Sequence, residues 1–462
     1  MSVAATSVWR MQTTSSIDDL RTGLSGSLFL PDDDGYDEAR LAWNLAVDQR
    51  PAAVAVPADV PDVQQIVRTA AASGFGVLTQ PNGHAAARDL SGIVLVRPHA
   101  FDEISIDAEH RTARVGAGVN WGRVLQQLKG TGLIALAGSN PEVNTVGYSL
   151  DGGHSMFGRA YGLQAPAITA VELVDASGEF RRVTDDSDPE LLWALRGAGG
   201  LFGVVTAIEF SLFEGDELYG GALLFPADRA ADLLTAVFEV AAAEPALGLS
   251  FGMMNFPDAP GLPEPLRGKT LASVAALHVG DAASGASRIA ALRSVGAPVA
   301  DTFRAFGIED LAAVAAEPTD PMGFEDWSSA TSGYDAQSAA GLVQAFHDAS
   351  AQGLSRLEVR PFGGALVGGD RSHAIAAHVA APAYLGASVF APPASALGDT
   401  SAAFAPLASA VATTPATGNV ATLMDHRATL ADAYDEESIA RLRALKSERD
   451  PGGVIRAARE LP

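Results

Sequence analysis

Between Pro51 and about Phe213, short apolar runs alternate with stretches whose apolar residues recur at helical spacing. In the longest of these stretches, Val63, Ile66 and Val67 share one helix face, and Gly74 is placed to end the helix. The apolar runs are short enough to be buried strands. They are AVAV (53–56), GVLT (76–79) and IVLV (93–96).

Two further pairs of runs predict antiparallel hairpins. ISID and TARV flank a turn at 108–111, and AVELVD and EFRRV flank a turn at 176–178. Hairpins mixed with helices favour an α+β architecture over a wholly parallel Rossmann sheet.

After about Gly215 the sequence predicts a second domain. Helical segments rich in alanine, Ala230–Ala243 and Ala286–Val295, alternate with the apolar runs ALLF (222–225) and ASVAALHV (272–279). The proline-containing segment 254–268 is predicted to be a loop, and a charged helix from Glu436 is predicted to end at Asp450.

Composition excludes several functions. The 462 residues carry 31 basic and 55 acidic side chains, a net charge of −24 that disfavours a grip on nucleic acid or anionic lipid. The chain has no cysteine, which excludes disulfides, thiolate metal sites, iron–sulfur clusters and a catalytic thiol. The start, MSVAATSVWRMQTTSSIDDL, lacks a secretory apolar core, and no apolar run reaches membrane-spanning length, so we expect a cytoplasmic protein without a membrane partner.

The loop QPNGHAAA (80–87) follows one predicted strand and precedes another. A Pro-Asn-Gly turn leaves main-chain N–H groups free to converge on an anion. His84 is a candidate nucleophile, metal ligand or covalent tether, although spacing alone favours a turn histidine bonded to the backbone.

A second glycine cluster, GSNPEVNTVGYSLDGGHSMFGRAYG (138–162), is too long for a hairpin turn and too rich in glycine for a helix. Such a segment allows main chain to approach a flat or phosphorylated ligand, or it is an extended surface loop.

Other motifs fail on spacing. The glycines of GAGVNWG (116–122) are one residue too far apart for G-x-G-x-x-G, and GYSLDG and GHSMFG each miss the nucleophile elbow G-x-S-x-G. The acidic run 32–34 lacks the spacing of a calcium loop, and the histidines are scattered, so no metal site is predicted.

Several ordered segments together resemble flavin-dependent oxidoreductases of the vanillyl-alcohol-oxidase type, specifically the berberine-bridge-enzyme-like branch. NGHAA (82–86) is similar to that family's Gly-His phosphate loop, and the other segments follow in the family's order. They are GYDEARLAWNLAVDQRPAAV (35–54), AGVNWGRVLQQL (117–128), the 138–162 cluster, DPELLWALRGAGGLFGVVTAIEF (188–210) and RLRALKSERDPGGVIR (441–456).

The resemblance implies a two-part FAD-binding domain, residues 1–215 and 430–462, around a substrate domain at 216–429 in which helices back an antiparallel sheet. It also implies that His84 is bonded to the 8-methyl group of the isoalloxazine. The other residues implied to bind or line the cofactor are Asn82, Gly83, Ala85, Ser139, Gly147, Gly152, Gly153, Gly203 and Val205.

The chain departs from the family at its catalytic base. A second tether through cysteine is excluded, and the alignment places Thr417 where relatives often have a tyrosine. A threonine hydroxyl is a poor base, so the base is unassigned, with Tyr148, Tyr384, Tyr434 and Thr417 as candidates.

The resemblance implies an oxidase acting on a small natural-product intermediate, with hydride passing to the flavin and oxygen reoxidising it to give hydrogen peroxide. Two alternatives remain open at this point. One is a redox-neutral cyclase or isomerase on the same fold, with flavin structural or absent, and the other is a protein that binds a small molecule without turnover.

Overall fold

The computed structural model describes residues 17–391, 397–459 and 461–462. The expectation about the amino-terminal segment therefore falls almost entirely outside the described residues. Within them, no helix is both long and apolar enough to cross a membrane.

The strands are β1 Ser27–Phe29, β2 Ala53–Val56, β3 Gly76–Thr79, β4 Ile93–Val96, β5 Ile104–Asp107, β6 Thr112–Gly116, β7 Leu133–Ile134, β8 Ile168–Asp175, β9 Phe180–Thr184, β10 Gly203–Ser211, β11 Phe213–Glu214, β12 Leu218–Pro226, β13 Gly248–Asn255, β14 Thr270–Val279, β15 Ala300–Asp301, β16 Arg304–Phe306, β17 Phe324–Thr331, β18 Arg356–Pro361, β19 Ala383–Phe390 and β20 Ile455–Arg456.

The α-helices are α1 Tyr36–Ala39, α2 Val60–Ser73, α3 Trp121–Gln127, α4 Thr145–Leu150, α5 Gly158–Tyr161, α6 Pro189–Leu195, α7 Ala230–Ala243, α8 Ala282–Arg288, α9 Ala290–Arg293, α10 Leu311–Ala315, α11 Ala336–Ser350, α12 Ser401–Val411 and α13 Glu436–Arg449. Short 3₁₀ turns occupy Ile17–Thr22, Ala165–Ala167, Ala227–Arg229, Ile308–Asp310, Gly364–Val367, Ala421–Leu423 and Leu430–Asp432.

The first sheet has the order β1-β2-β4-β3-β20 and is parallel except for β1. Helix α2, which the sequence predicted, packs on this sheet. The Asp59 side chain accepts a bond from the Asp62 amide at its start, and Gly74, at φ 76°, ends it in the left-handed region. The three predicted strands of this region are confirmed.

The second sheet is antiparallel, in the order β5-β6-β10-β8-β9, and contains both predicted hairpins. Beneath it lies a core that includes the fully buried rings of Trp121 and Phe210, packed edge to face. This core is continuous with the glycine cluster, since Tyr148 also packs edge to face on Trp121.

The third sheet is large and antiparallel, in the order β15-β12-β14-β13-β18-β19-β17, with β16 paired to β12. Alternate side chains face helices α7, α11 and α12 and form a second core, for example Phe251, Leu357 and Leu385. The residues between them carry polar groups on the opposite face, including Glu358, Tyr384 and Ser388. The α+β class and the helix-backed antiparallel sheet are thus confirmed.

The carboxyl-terminal segment returns to the first sheet. After α13, the buried Asp450 accepts bonds from Lys446 Nζ at 2.6 Å and from the amides of Val454 and Ile455, and β20 pairs with β3.

Two predicted elements need correction. The helix expected over Ala286–Val295 is two short helices, α8 and α9, because Ile289 leaves helical geometry to bury its side chain in the second core. The loop expected at 254–268 begins two residues later, since Met254 and Asn255 pair with β14.

Candidate functional site

The loop 80–87 leaves β3 in a conformation that exposes main-chain donors. The N–H groups of residues 82–85 meet no acceptor among the described residues. Gly83 has φ 83°, and a Cβ there would lie 2.8 Å from Ala42 Cβ, so only glycine fits. Unpaired amides in such a turn form a site for an anion.

Arg97, directly after β4, fixes this loop through hydrogen bonds from its guanidinium. The residue is 3% exposed, and its guanidinium donates to main-chain carbonyls of both loop 80–87 and the segment after α1. Burial lowers the pKa of Arg97 to about 10, which leaves it charged at neutral pH. The carbonyls that it contacts are those of Ala39, Arg40, Leu41, Gln80 and Pro81.

Asn82 joins the two predicted loops directly. Its amide Nδ2 donates to the Glu142 carbonyl at 2.6 Å and to Asn120 Oδ1 at 2.9 Å. This direct contact supports the prediction that loops 80–87 and 138–162 act together.

His84 lies where the two loops meet. Its ring stacks on Trp43 with 4.1 Å between centroids and 17° between planes. Nε2 is buried without a partner among the described residues. Burial is the main reason that the pKa of His84 falls to about 4, so the imidazole is neutral at physiological pH.

The glycine cluster contains one short helix, α4, and a tight turn. Gly147 lies inside α4, and Asn144 caps the helix by accepting a bond from its amide. Gly152 and Gly153 both have positive φ, and the Gly153 amide donates to Thr422 Oγ1 at 2.7 Å. Gln164, fully buried beside Gly153, has neither amide atom of its side chain bonded to a described residue.

The remaining predicted cofactor residues lie in different surroundings. Ser139 Oγ donates to Glu317 at 2.6 Å. Gly203 is packed against β8, where a Cβ would lie 2.5 Å from the Val174 carbonyl, and Val205 is buried in the first core. The half-buried Asn82, the buried Gly83 and the exposed Ala85 stay together in the loop with His84.

The polar face of the third sheet carries a network of charged side chains. Glu358 accepts from Arg360 Nε at 2.8 Å, from Arg356 at 3.1 Å and from Ser250. The two arginines hold the pKa of Glu358 at about 2 against the opposing effect of burial. Arg360 also donates to His154 Nδ1, and burial lowers the pKa of His154 to about 3.

Asp326 on β17 differs from its acidic neighbours. It accepts from Ser388 Oγ at 2.6 Å but has no ion pair with any described residue. Burial raises the pKa of Asp326 to about 6.

The four candidate bases divide clearly. Tyr148 donates to the Leu136 carbonyl and Tyr434 to the Gly197 carbonyl, both buried, with pKa values raised by burial. The Thr417 side chain is exposed at the surface. Tyr384 lies on the polar sheet face, and its pKa is raised by burial and by the charges of Glu358 and Asp326.

One segment links the loops to the third sheet. The carbonyl of Pro318 accepts from Asn140 Nδ2 at 2.8 Å, and that of Thr319 from Trp43 Nε1 at 3.4 Å. Residues 317–322 therefore contact the glycine cluster and the segment that carries Trp43 just before β17 begins. A cavity of about 560 Å³ lies elsewhere, lined by Pro166, Asp185, Pro189, Gly369, Asp370, Ser372, His373 and Ala377, and involves neither loop.

These groups fit a dinucleotide carrying a flavin. Free main-chain amides suit a pyrophosphate, and the buried, unpartnered nitrogen of His84 beside them suits a covalent or polar partner. Sequence reasoning missed Trp43, Arg97, Gln164 and Asp326 as site residues. The only signal in the sequence was that Trp43 falls inside a recognised motif and Arg97 directly follows an apolar strand.

Residues 51–184 match the family model described as an FAD binding domain. In sequence, 194 residues are 36% identical to (R)-6-hydroxynicotine oxidase of Paenarthrobacter nicotinovorans, covering 41% of this chain and 42% of that protein. The chain thus spans about two fifths of the length of the curated relatives that it matches.

Solved structures match over nearly the whole chain. 6-Hydroxy-D-nicotine oxidase from Arthrobacter nicotinovorans is 26% identical with a TM-score of 0.79, covering 97% of this chain and 98% of that one. Berberine bridge enzyme from Eschscholzia californica is 17% identical with a TM-score of 0.80, covering 97% and 99%. The predicted resemblance and fold are confirmed, and the chain contains an FAD-binding domain.

Proposed function

We propose that this chain is an FAD-dependent oxidoreductase that oxidises a small natural-product intermediate and passes the electrons to oxygen. The observation that carries the proposal is the junction of two loops at His84, where free amides and an unpartnered ring nitrogen lie inside the matched FAD-binding region. The names of the relatives, which include oxidases of a nicotine derivative, support a small organic substrate.

The proposed FAD-binding domain comprises residues 1–215 and 430–462, with the substrate domain between them. The pairing of β20 with β3 supports this division, because it ties the end of the chain into the first sheet. Residence in the cytoplasm is proposed from the sequence alone.

When bound, the flavin would accept a hydride from a substrate carbon and pass two electrons to oxygen. The amides of residues 82–85 would hold its pyrophosphate, and His84 would tether its ring through a covalent bond. Ser139, Gly147, Gly152, Gly153, Gly203 and Val205 would line the flavin or its ribityl chain.

The polar face of the third sheet would bind and orient the substrate. Arg356 and Arg360 share the single carboxylate Glu358, whose low pKa makes it an ineffective proton acceptor. Tyr384 is the best placed of the four hydroxyl candidates, since Tyr148 and Tyr434 donate to carbonyls and Thr417 is exposed.

The test is to purify the chain, record its visible spectrum and precipitate it with acid. We expect a yellow protein whose flavin stays with the polypeptide, while His84→Ala binds FAD only reversibly. Candidate amines, alcohols and oligosaccharides are then screened for anaerobic bleaching of the flavin and for aerobic peroxide.

A protein that cannot be loaded with FAD would contradict the proposal. Bound flavin that no candidate substrate bleaches, together with conversion of a substrate without peroxide, would favour the redox-neutral alternative.

A further inference from the structure

Polar side chains of the third sheet stand in rows across β17, β19 and β18. Because side chains alternate between the two faces of a strand, residues two apart on one strand share a face. The rows on the polar face are Asp326, Ser388 and Arg356, then Ser328, Gly386 and Glu358, then Ala330, Tyr384 and Arg360. Arg356 and Glu358 are therefore neighbours, and Ser388 lies between Arg356 and Asp326.

Glu358 is fully engaged by groups of the chain itself. Its Oε1 accepts from Ser250 Oγ at 2.6 Å and from Arg360 Nε at 2.8 Å. Its Oε2 accepts from Nη2 of Arg356 and from Nη2 of Arg360, each at 3.1 Å. Four donors satisfy the acceptor sites of a carboxylate, so its single negative charge is shared by two guanidinium groups.

The two arginines differ in how many donors remain open. Arg360 commits all three nitrogens, since its Nη1 lies 3.2 Å from His154 Nδ1. Arg356 makes one hydrogen bond, from Nη2, and its Nε and Nη1 meet no acceptor among the described residues. The Arg356 side chain is 32% exposed, against 13% for Glu358 and Arg360. Arg356 therefore presents a permanent positive charge with open donors on this face.

Two other carboxylates near Arg356 are held by different partners. Asp326 accepts from Ser388 Oγ at 2.6 Å. Glu317 accepts from Ser139 Oγ, also at 2.6 Å. Neither carboxylate lies within ion-pair distance of Arg356, although burial raises the pKa of Asp326 to about 6 against the opposing charge of Arg356. The two carboxylates thus weaken the positive potential at Arg356 without occupying its donors.

A carboxylate fits these open donors better than a neutral group does. The planar guanidinium matches the two oxygens of a carboxylate, and a charge-assisted hydrogen bond is about twice as strong as a neutral one. A hydroxyl or carbonyl would leave the second positive charge of the arginine pair without a direct counter-ion. Tyr384 Oη lies over Gly386 in the next row, since a Cβ there would overlap it, so a group bound at Arg356 is close to that hydroxyl.

We propose that the substrate carries a carboxylate and that Arg356 is the residue that binds it. The inference rests on the proposed function, because it takes this face as the substrate side of an oxidoreductase. It narrows the substrate to a small organic acid and sets aside neutral sugars and amines without an acidic group, which bring no anion to Arg356. Binding forms no covalent bond and needs no co-reactant.

The substrate class is tested by calorimetric titration of the FAD-loaded protein at pH 7.5. The probes are benzoate, phenylacetate and hexanoate, each compared with its primary amide. An acid and its amide are nearly equal in size, so the ratio of their affinities isolates the effect of charge. We expect at least one acid to bind about tenfold more tightly than its amide. No preference for the acid in any of the three pairs would overturn the inference.

The role of Arg356 is tested with Arg356→Gln, which removes the charge and leaves Arg360 on Glu358. We expect the affinity for the preferred acid to fall about tenfold and that for its amide to stay within about twofold. Arg304→Gln is the matched control, because Arg304 is an exposed arginine on β16 of the same sheet, and it should change neither affinity. An acid affinity in Arg356→Gln equal to that of wild type would overturn the inference.

Asp326→Asn gives a test in the opposite direction. At pH 7.5 Asp326 is ionised in the wild type, so removing its charge should strengthen acid binding by about threefold and leave amide binding unchanged. If Arg356→Gln does not fold, Asp326→Asn decides, and an unchanged acid affinity would then overturn the inference. Failure of the proposed function shows separately, as absent flavin or absent peroxide, neither of which enters the comparison of acid with amide.

Discussion

Arg97 donates from Nη2 to the carbonyl of Leu41 at 2.7 Å, inside the protein and without a carboxylate partner among the described residues. Its Nη1 donates to carbonyls of the histidine loop, so one buried cation ties the segment that carries Trp43 to the loop that carries His84. The position of Trp43 relative to His84 depends on this connection, which forms only when both segments pack around Arg97.

Replacing Arg97 by methionine is expected to lower the free energy of unfolding by about 3 kcal/mol, because several buried carbonyls lose their donor. Lysine should recover only part of this, since one ammonium cannot reach so many acceptors. Chemical denaturation and bound FAD are the measurements. Arg50→Met is the control, as the ion pair of Arg50 with Asp48 is exposed, and equal losses in the two methionine variants would contradict the role given to Arg97.

Gly153 is expected to be intolerant of alanine. It has φ 71°, and a Cβ would lie 2.5 Å from Gln164 Cβ and 2.8 Å from Tyr148 Cε1. Strain and overlap together should cost about 2 kcal/mol or more. Gly147→Ala is the matched control, because its new Cβ would meet only Asn144 Oδ1 at 3.6 Å inside a helix. Thermal unfolding of both variants checks this, and a Gly153→Ala protein as stable as Gly147→Ala would show the turn to be adaptable.

Glu358→Gln should destabilise the protein by about 3 kcal/mol at neutral pH, because two arginines lose their shared counter-charge. The folded pKa of about 2 lies below the ordinary value of 4.5, so this stabilisation is complete above pH 4.5 and is lost as the pH falls toward 2. Denaturation of wild type and variant across that range measures the difference. Glu179→Gln, at an exposed ion pair with Arg68, should have little effect at any pH.

Asp326 should titrate near pH 6, and its ionisation should change the stability of the protein in the opposite direction to that of Glu358. Its folded pKa is raised from 3.8, so the folded state binds the proton more tightly and ionisation costs stability as the pH rises from about 4 to 6. Asp326→Asn should therefore gain stability over wild type with increasing pH, by about 1.4 kcal/mol per unit of pKa shift at most.

Infrared difference spectra between pH 5 and pH 7 should show a protonated carboxyl band that Asp326→Asn lacks. Ser388→Ala should move that titration upward, since it removes the hydrogen bond that favours the charged form. A band that is unchanged in Asp326→Asn would assign the titration to another group.

Much of the secondary structure follows from local patterns. The strands at 53–56, 76–79 and 93–96, helix α2 and both hairpins are confirmed because periodicity, a Pro-Asp start and a glycine end act within a few residues. The helix expected at 286–295 breaks because burial of Ile289, a tertiary demand, outweighs the helical pattern.

The candidate site likewise combines features that the sequence predicts with features that only the tertiary structure shows. The sequence by itself determined where the two glycine loops and His84 stand in the chain, because glycine permits backbone conformations that other residues rarely adopt, and its resemblance to a known family predicted the kind of cofactor. Only the tertiary structure decided that Trp43 stacks on His84, that Tyr148 and Tyr434 are bound to carbonyls, and that Asp326 lacks an ion pair. The reason is that stacking, burial and the pKa values they shift arise between residues far apart in the chain, and a linear pattern carries no distance between them.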